Sequence, residues 1–586
     1  MSYDSIQVGS SSNVDRLIGC KAASKLASKD SSLFDFSQET AEFASKFMGW
    51  STLCSNPPFP IEKIEEFARA ARAEGLTDVL LVGQGGSTQA SMTMAELLRA
   101  EAKLDIGFYT MDSMSSEYLD WVWNRVNPES SIVIVSSKSG STLEPMSVFK
   151  CLWSRLCEAL GEEAAGKRCV AITDPGSMLE TMAGDMGFAA VFNGEATVGG
   201  RFSAMSVFGL VPFALMGIDL ESLVAACAKA EAACATDSPD NPALKLAAFM
   251  LDNHEAGRNK ACFAFSPSCE SFGLWLEQLI AESTGKDGKG ILPNTENDVD
   301  VLQAGSSDRM CFAYTMSVDE GKADSYGHQL GSAQKAAAIS EAGNPCIELA
   351  MDSSTDAACH MIVWEYAVSM YSAAAQINPF DQPDVESTKK AVKKMLGEGC
   401  AEAGAVAAEA TRFAVELADG EVAGFDVSSA LVGAGSVPTS FDDVLDMLMR
   451  SMKQGDFFCI NAFVPYFDAR RTDALERIRH GVAIKSGCAA CMEIGPRYLH
   501  SIGQFQKGGY NSGVYLVLAA PESQEVQIPG AGYSLTHLGI VQAKGDYTAL
   551  DDAGRRAVCV MLRDNSPQTI DWLAERVAAL VPSQLS

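Results

Sequence analysis

The sequence predicts an α/β fold: two doubly wound parallel sheets followed by a C-terminal α+β region. Three observations carry that expectation. Wholly apolar runs of four residues recur, too short for a helix and patterned as strands buried on both faces. Each run leads into a turn rich in glycine or hydroxyls. A stretch of helical periodicity then follows, and strand, turn and helix repeated in series make a parallel sheet with crossover helices.

Residues 1–50 are expected to form an N-terminal helical segment, and 51–240 the first sheet domain. Ile61, Ile64, Phe67 and Ala71 recur at helical spacing and stop at Gly75, which fits a C-cap. Residues 79–82 (Val-Leu-Leu-Val) follow as a strand. Gly83-Gln84-Gly85-Gly86-Ser87 turns the chain into a helix over about 90–103. The unit repeats at 132–135 (Ile-Val-Ile-Val), the turn 136–142 and a helix opening near Pro145, a residue well tolerated in a first turn. It repeats again at 169–172 and the turn Thr173-Asp174-Pro175-Gly176. A second domain over 241–395 carries strands at 262–265, 310–314 and 346–349, with helices near 271–282 and 360–376. Residues 396–586 form the C-terminal region. Within it, 397–456 holds 11 acidic and 3 basic side chains and reads as surface helices with loops. The tail from Phe457 reads as mixed α+β.

The length of 586 residues fits three or four domains at about 150 residues each. With 45 basic and 75 acidic residues the formal charge is −30. That excludes nucleic-acid binding by bulk charge and disfavours an anionic membrane surface. An anionic substrate would be repelled by the mean field, so its site needs local positive charge. The start, MSYDSIQVGSSSNVDR, lacks a basic segment followed by an apolar core, so no signal peptide is expected. The most apolar stretch, 207–218, is shorter than the about 20 residues of a membrane span. Seventeen scattered cysteines fit a reduced, cytoplasmic protein. The one close pair, Cys488 and Cys491, has no second pair or neighbouring histidine and reads as incidental.

Two turns are candidates for chemistry. The amides of Gly85, Gly86 and Ser87 open a helix, where a closely approaching anion is favoured. The same turn also suits packing alone. The spacing is neither GxGxxG nor GxxxxGK[ST], so no dinucleotide or nucleoside triphosphate is indicated. The second turn crowds Ser137, Ser139, Ser141 and Thr142 around Lys138 at a strand end, which suits a monophosphate dianion.

These turns resemble the phosphate-binding loops of phosphosugar isomerase domains. Gly199-Gly200-Arg201-Phe202-Ser203, the run EQLIAESTGKDGKGILP from Glu277, and Phe380-Asp381-Gln382-Pro383-Asp384-Val385-Glu386 follow in order. The set resembles the glucose-6-phosphate isomerase family over nearly the whole chain. It is most similar to the isomerase half of bacterial transaldolase fusions, here expected to be free-standing. The resemblance implies reversible isomerisation of D-glucose 6-phosphate and D-fructose 6-phosphate through a cis-enediolate, in glycolysis and gluconeogenesis, with no metal or organic cofactor. It implies Glu282 as the base, one helical turn after Gln278, with Arg201 steadying the enediolate. Lys389, nine residues after Phe380, and His500 would open the sugar ring. Gly85, Gly86, Ser87, Ser137, Lys138, Ser139, Thr142, Gly200 and Gln278 would bind substrate. Lys138, Arg201, Lys389 and two helix N-termini would supply the local positive charge.

The histidine is chosen among His328, which lacks the surrounding pattern, His360, which lies inside a helical run, and His500, in Pro496-Arg497-Tyr498-Leu499-His500-Ser501-Ile502-Gly503-Gln504. The fusion-type proteins carry a second histidine before Lys507-Gly508-Gly509, where this chain has Gln506. Ordinary members are homodimers that lend this histidine across the interface, so a homodimer is a possible partner state. Two alternatives stand beside the enzyme reading: a non-enzymatic phosphosugar-binding regulator, and an isomerase that also takes mannose 6-phosphate.

Overall fold

The computed structural model describes residues 2–9, 11–304, 307–329, 331–397, 421–432, 438, 440–583 and 585. Strands β1 (Asp78–Val82), β2 (Gly107–Met111), β3 (Ser131–Ser136), β4 (Cys169–Thr173) and β5 (Ala190–Asn193) form the first sheet. It is parallel, in the order β2-β1-β3-β4-β5. Every residue of β1, β3 and β4 is buried, which is why these strands read as unbroken apolar runs. The chain leaves β1 and β3 in opposite directions, so a crevice opens between their carboxyl ends. Both candidate turns emerge there.

Strands β6 (Lys260–Phe265), β7 (Leu292–Thr295), β8 (Arg309–Met316) and β9 (Cys346–Met351) form a second parallel sheet, in the order β7-β6-β8-β9. Helix Phe272–Thr284 follows β6 at the equivalent switch point and carries Gln278 and Glu282. The N-terminal helices Ser12–Gly19 and Ala22–Ala27 pack beside this domain, with Asn13 Nδ2 donating to Asp252 at 2.9 Å and Arg16 to the Ala374 carbonyl at 2.9 Å.

The C-terminal region carries a mixed sheet. Strands β11 (Phe457–Phe463), β12 (Ala489–Ile494), β13 (Gly513–Ala519) and β14 (Arg556–Leu562) are parallel, and β10 (Val422–Val427) adds an antiparallel edge to β14. The order β10-β14-β13-β11-β12 repeats, among its parallel strands, the pattern of the other two sheets. The acidic stretch 397–456 departs from the expected surface helices. Its described parts supply β10 and helix Phe441–Arg450, whose Phe441, Val444, Leu445 and Leu448 are fully buried against the sheet. Residues 398–420, 433–437 and 439 of that stretch lie outside the described residues. Cys488 and Cys491 sit in different cores on opposite faces of the third sheet, which removes them as a joint site. Among the described residues no helix is long and apolar enough to cross a membrane.

Candidate active site

A cavity of about 560 Å³ opens where the three sheets meet, lined by Ser139, Ser141, Thr142, Glu144, Glu282, Gln382, Lys389, His500, Lys507 and Gln542 among others. Three of the four expected catalytic residues, far apart in sequence, thus share one wall.

The hydroxyl turn is organised by its own side chains. Ser137 Oγ accepts from the Gly140 amide at 3.2 Å, and Ser139 and Ser141 hydroxyls lie 2.8 Å apart. Gly140 has φ +67°, and a Cβ there would lie 2.4 Å from the Leu179 nitrogen, so only glycine fits. Ser139 and Ser141 stay exposed, beside Thr142 at the N-terminus of the 18-residue helix Leu143–Leu160. Ser137 is buried beneath them. Lys138 does not take part. Its ammonium sits 3.1 Å from Asp174, in the turn after β4, and donates to the Val198 carbonyl at 2.8 Å. The sequence placed Lys138 in the right turn, and the neighbouring strand end supplied a carboxylate that draws it away.

The glycine turn is closely packed against two other loops. A Cβ on Gly86 would lie 2.0 Å from the Gly200 carbonyl oxygen, and one on Gly85 would lie 2.8 Å from the His500 carbonyl oxygen and Gln278 Nε2. Gly85, Gly86, Ser87 and Gly200 do not line the cavity. Their small size lets three loops close on one another behind it, and Ser203 Oγ ties them by donating to Gly86 O at 3.1 Å.

Glu282 is buried in the last turn of its helix, where Gln278 Nε2 donates to its Oε2 at 3.2 Å. Arg201 Nη1 reaches the same oxygen at 3.3 Å. Arg201 is itself buried, and each nitrogen of its guanidinium is engaged by the protein: Nε by Ser283 and the Pro379 carbonyl, Nη1 by Glu282 and Gln382, Nη2 by the Pro379 and Asp381 carbonyls. It stands behind Glu282 and does not line the cavity. In this structure the guanidinium grips the Glu282 carboxylate. Beside it Lys286, from the same motif, pairs with Asp381 at 2.8 Å. Burial and the Arg201 charge push its ammonium down to about 7, with Asp381 opposing.

His500 lies in the loop after β12. Its Nε2 is 3.3 Å from Glu144 Oε1, and Gln542 Nε2 donates to the same oxygen at 2.7 Å. Burial pushes the Glu144 carboxyl up, yet the charge and hydrogen bond of His500 outweigh it and hold the group below the usual range. Gln278 Nε2 donates to the His500 carbonyl at 2.9 Å, and Arg497 pins the loop to the first sheet through Asp112 at 2.7 Å. Lys389 reaches the rim exposed, 2.6 Å from Glu386. Gln506 turns away from the cavity into the third core, where it and Asn461 exchange amide hydrogen bonds at 2.9 and 3.0 Å. His360 is fully buried between Ser2 and Tyr314, and burial pushes its imidazole down to about 4. His328 lies near Asp300 and Asp324, outside the cavity.

Most cations at the site face a carboxylate, and the exposed Lys393 on the cavity wall has none within salt-bridge distance among the described residues. Arg201 faces Glu282, Lys389 faces Glu386, Lys507 is ion-paired with the fully buried Asp546, and Lys138 faces Asp174. Glu144, Gln542 and Lys507 were missed as site residues. Glu144 directly follows the hydroxyl turn and Lys507 lies in the quoted Lys-Gly-Gly, so both carried a positional signal. Gln542, on helix Leu535–Asp552, carried none.

Residues 62–300 match the family model described as phosphoglucose isomerase. A glucose-6-phosphate isomerase from Bacillus cereus (strain AH187) is 29% identical over 397 residues, covering 60% of this chain and 87% of that protein. One from Rubrobacter xylanophilus is 28% identical over 377 residues, covering 58% and 86%. The fold is similar to that of a hypothetical protein from Thermus thermophilus (TM-score 0.56, 23% identity, 65% of this chain and 95% of that one). It is also similar to that of a glucose-6-phosphate isomerase from Chlamydia trachomatis (TM-score 0.51, 18% identity, 66% and 86%).

Proposed function

We infer that this chain is a glucose-6-phosphate isomerase, interconverting D-glucose 6-phosphate and D-fructose 6-phosphate. The observation that carries the reading is the convergence of Glu282, His500, Lys389 and the hydroxyl turn on one cavity. A regulator that only binds phosphosugar has use for the turn but none for the other three groups.

The phosphate is held by Ser139, Ser141 and Thr142 at a helix N-terminus, which favours a dianion without a dedicated cation. His500 and Lys389 exchange protons with O1 and the ring oxygen and open the ring. Glu144 holds the imidazole, and Gln542 holds Glu144. Glu282 then carries a proton between C2 and C1. Its Oε2 is fixed by Arg201 and Gln278, which leaves Oε1 for the substrate. Gln382 Oε1 accepts from Arg201 at 3.0 Å, so its amide nitrogen is turned outward and suits the developing enediolate oxygen.

In this reading the chain acts in the cytoplasm, in glycolysis and gluconeogenesis. Its sixteen described cysteines, all free, support a reducing compartment. The place of His500 after Lys389 in chain order supports kinship with the isomerase half of transaldolase fusions. The reading is tested by following fructose 6-phosphate formation from glucose 6-phosphate with the purified chain. Saturable turnover supports it, and binding without turnover favours the regulator.

A further inference from the structure

A second cavity, of about 720 Å³, lies on another face of helix Phe272–Thr284. It forms where the second sheet meets the third, between β6 and β7 on one side and β12 and helix Ala469–Ser486 on the other. No residue lines both cavities. The isomerase reading gives it no task.

We propose that this cavity binds a small organic cation, an ammonium group on an apolar body, seated on Glu493, Glu277 and Glu270. Glu493 is only 6% exposed, yet among the described residues no N–H or O–H donor reaches its carboxyl. Its hydrogen-bond contact is the carboxyl of Glu277, another acceptor. Glu277 in turn accepts from Ser501 Oγ at 2.6 Å, and Glu270 from Asn297 Nδ2 at 2.9 Å. Among the described residues none of the three has a basic partner within salt-bridge distance. The nearby cations are committed elsewhere: Arg479 to Glu296 and Glu476, Arg477 to Asp571, Arg497, whose charge reaches Glu277 and Glu493, to Asp112, and Lys335, whose charge reaches Glu270, to Asp324.

Carboxyls in a partly dry cavity with no cation in contact favour holding protons or a bound cation. Burial and the facing Glu277 charge push Glu493 up, and burial pushes Glu270 up to about 7. Glu277 and Glu493 face each other carboxyl to carboxyl, an arrangement that either a shared proton or a bound cation reconciles. An ammonium group satisfies both carboxylates at once and displaces such a proton. Phe263, Leu274 and Met492 on the walls offer contact for an apolar body. A metal ion fits less well. Among the described residues the one cluster with three ligand atoms within 4.8 Å of each other is Asp298, Asp300 and His328, which includes none of the three glutamates.

The test is calorimetric titration of the full chain with 2-phenylethylamine, beside its neutral isostere 2-phenylethanol, in two buffers of different ionisation enthalpy. The expected result is one saturable amine site, proton release on binding, and much weaker binding of the alcohol. Excess glucose 6-phosphate leaves the amine bound, so the outcome stands apart from the isomerase reading. Glu493→Gln, nearly isosteric, weakens amine binding by about tenfold or more, the loss of one charged contact. Circular dichroism and melting check its fold, and Glu270→Gln gives a second, independent loss. Absence of saturable amine binding, equal binding of the alcohol, or undiminished binding in both variants overturns the proposal.

Discussion

Glu144→Gln isolates the contact between His500 and its carboxylate. Gln at this position keeps the shape, and its carbonyl can still accept from Gln542, which donates at 2.7 Å in the wild type. What is lost is the charge opposite His500 Nε2 at 3.3 Å. A hydrogen bond to a charged group contributes about 1.5–3 kcal/mol, and a buried one lies toward the upper end. At about 1.4 kcal/mol per tenfold, kcat/KM should fall by roughly 10- to 150-fold. The assay is initial-rate formation of fructose 6-phosphate from the cyclic substrate. Thermal melting should move little, because no buried donor is orphaned. A kcat/KM within about twofold of wild type would refute the idea that this carboxylate governs ring opening. A large loss of stability would show that Glu144 is a structural group instead.

Three further outcomes follow from the same geometry. Arg201→Lys keeps the charge but cannot serve the Ser283, Pro379, Gln382, Asp381 and Glu282 acceptors together, so turnover should fall by about 10² or more while the KM for substrate changes less. Gly86→Ala forces a Cβ to within 2.0 Å of the Gly200 carbonyl, and the urea midpoint should drop by an amount equal to about 1–3 kcal/mol. Glu270, pushed up to about 7 by burial, holds its proton more tightly folded than unfolded. Its contribution is therefore present below the ordinary glutamate range and lost as pH rises through about 7. Glu270→Gln should raise stability over wild type by about 1–2 kcal/mol at pH 8 and by little near pH 4, read from urea unfolding at both.

The two turns at the first switch point were legible because each follows an unbroken apolar run, 79–82 and 132–135, and is dominated by small or hydroxyl side chains. Glu282, Lys389 and His500 were legible only through their motifs; no periodicity distinguishes them from surface residues. Lys138 and Arg201 show where sequence reasoning stops. Each sits in the expected loop, but the partner that decides its direction comes from another element, Asp174 after β4 for one, and the Pro379–Gln382 segment for the other. Glycines 85 and 86 were legible as positions of close approach, and the loops that approach them, through Gly200 and His500, come from distant parts of the chain. The third sheet was harder still. Polar residues interrupt three of its parallel strands, Asn461 in β11, Glu493 in β12 and Arg556 in β14, and the antiparallel β10 lies inside an acidic stretch whose charges conceal the buried face of helix Phe441–Arg450.

The charge of −30 ends with a narrower meaning than it began. With Lys138, Arg201, Lys389 and Lys507 each facing a carboxylate, capture of a dianion rests on hydroxyls, a helix N-terminus and the exposed Lys393 of the cavity wall, working against the outer field.

The central claim is that Glu282 carries the proton between C2 and C1. It is tested most directly by running the reaction in D₂O and following deuterium at C2 of glucose 6-phosphate by NMR. The wild type should exchange solvent deuterium into C2 as it turns over. Glu282→Gln, with Arg201 and Gln278 still able to hold the side chain, should exchange about 10²–10⁴-fold more slowly while sugar phosphate still binds. Exchange in Glu282→Gln at a rate near that of the wild type would contradict the claim.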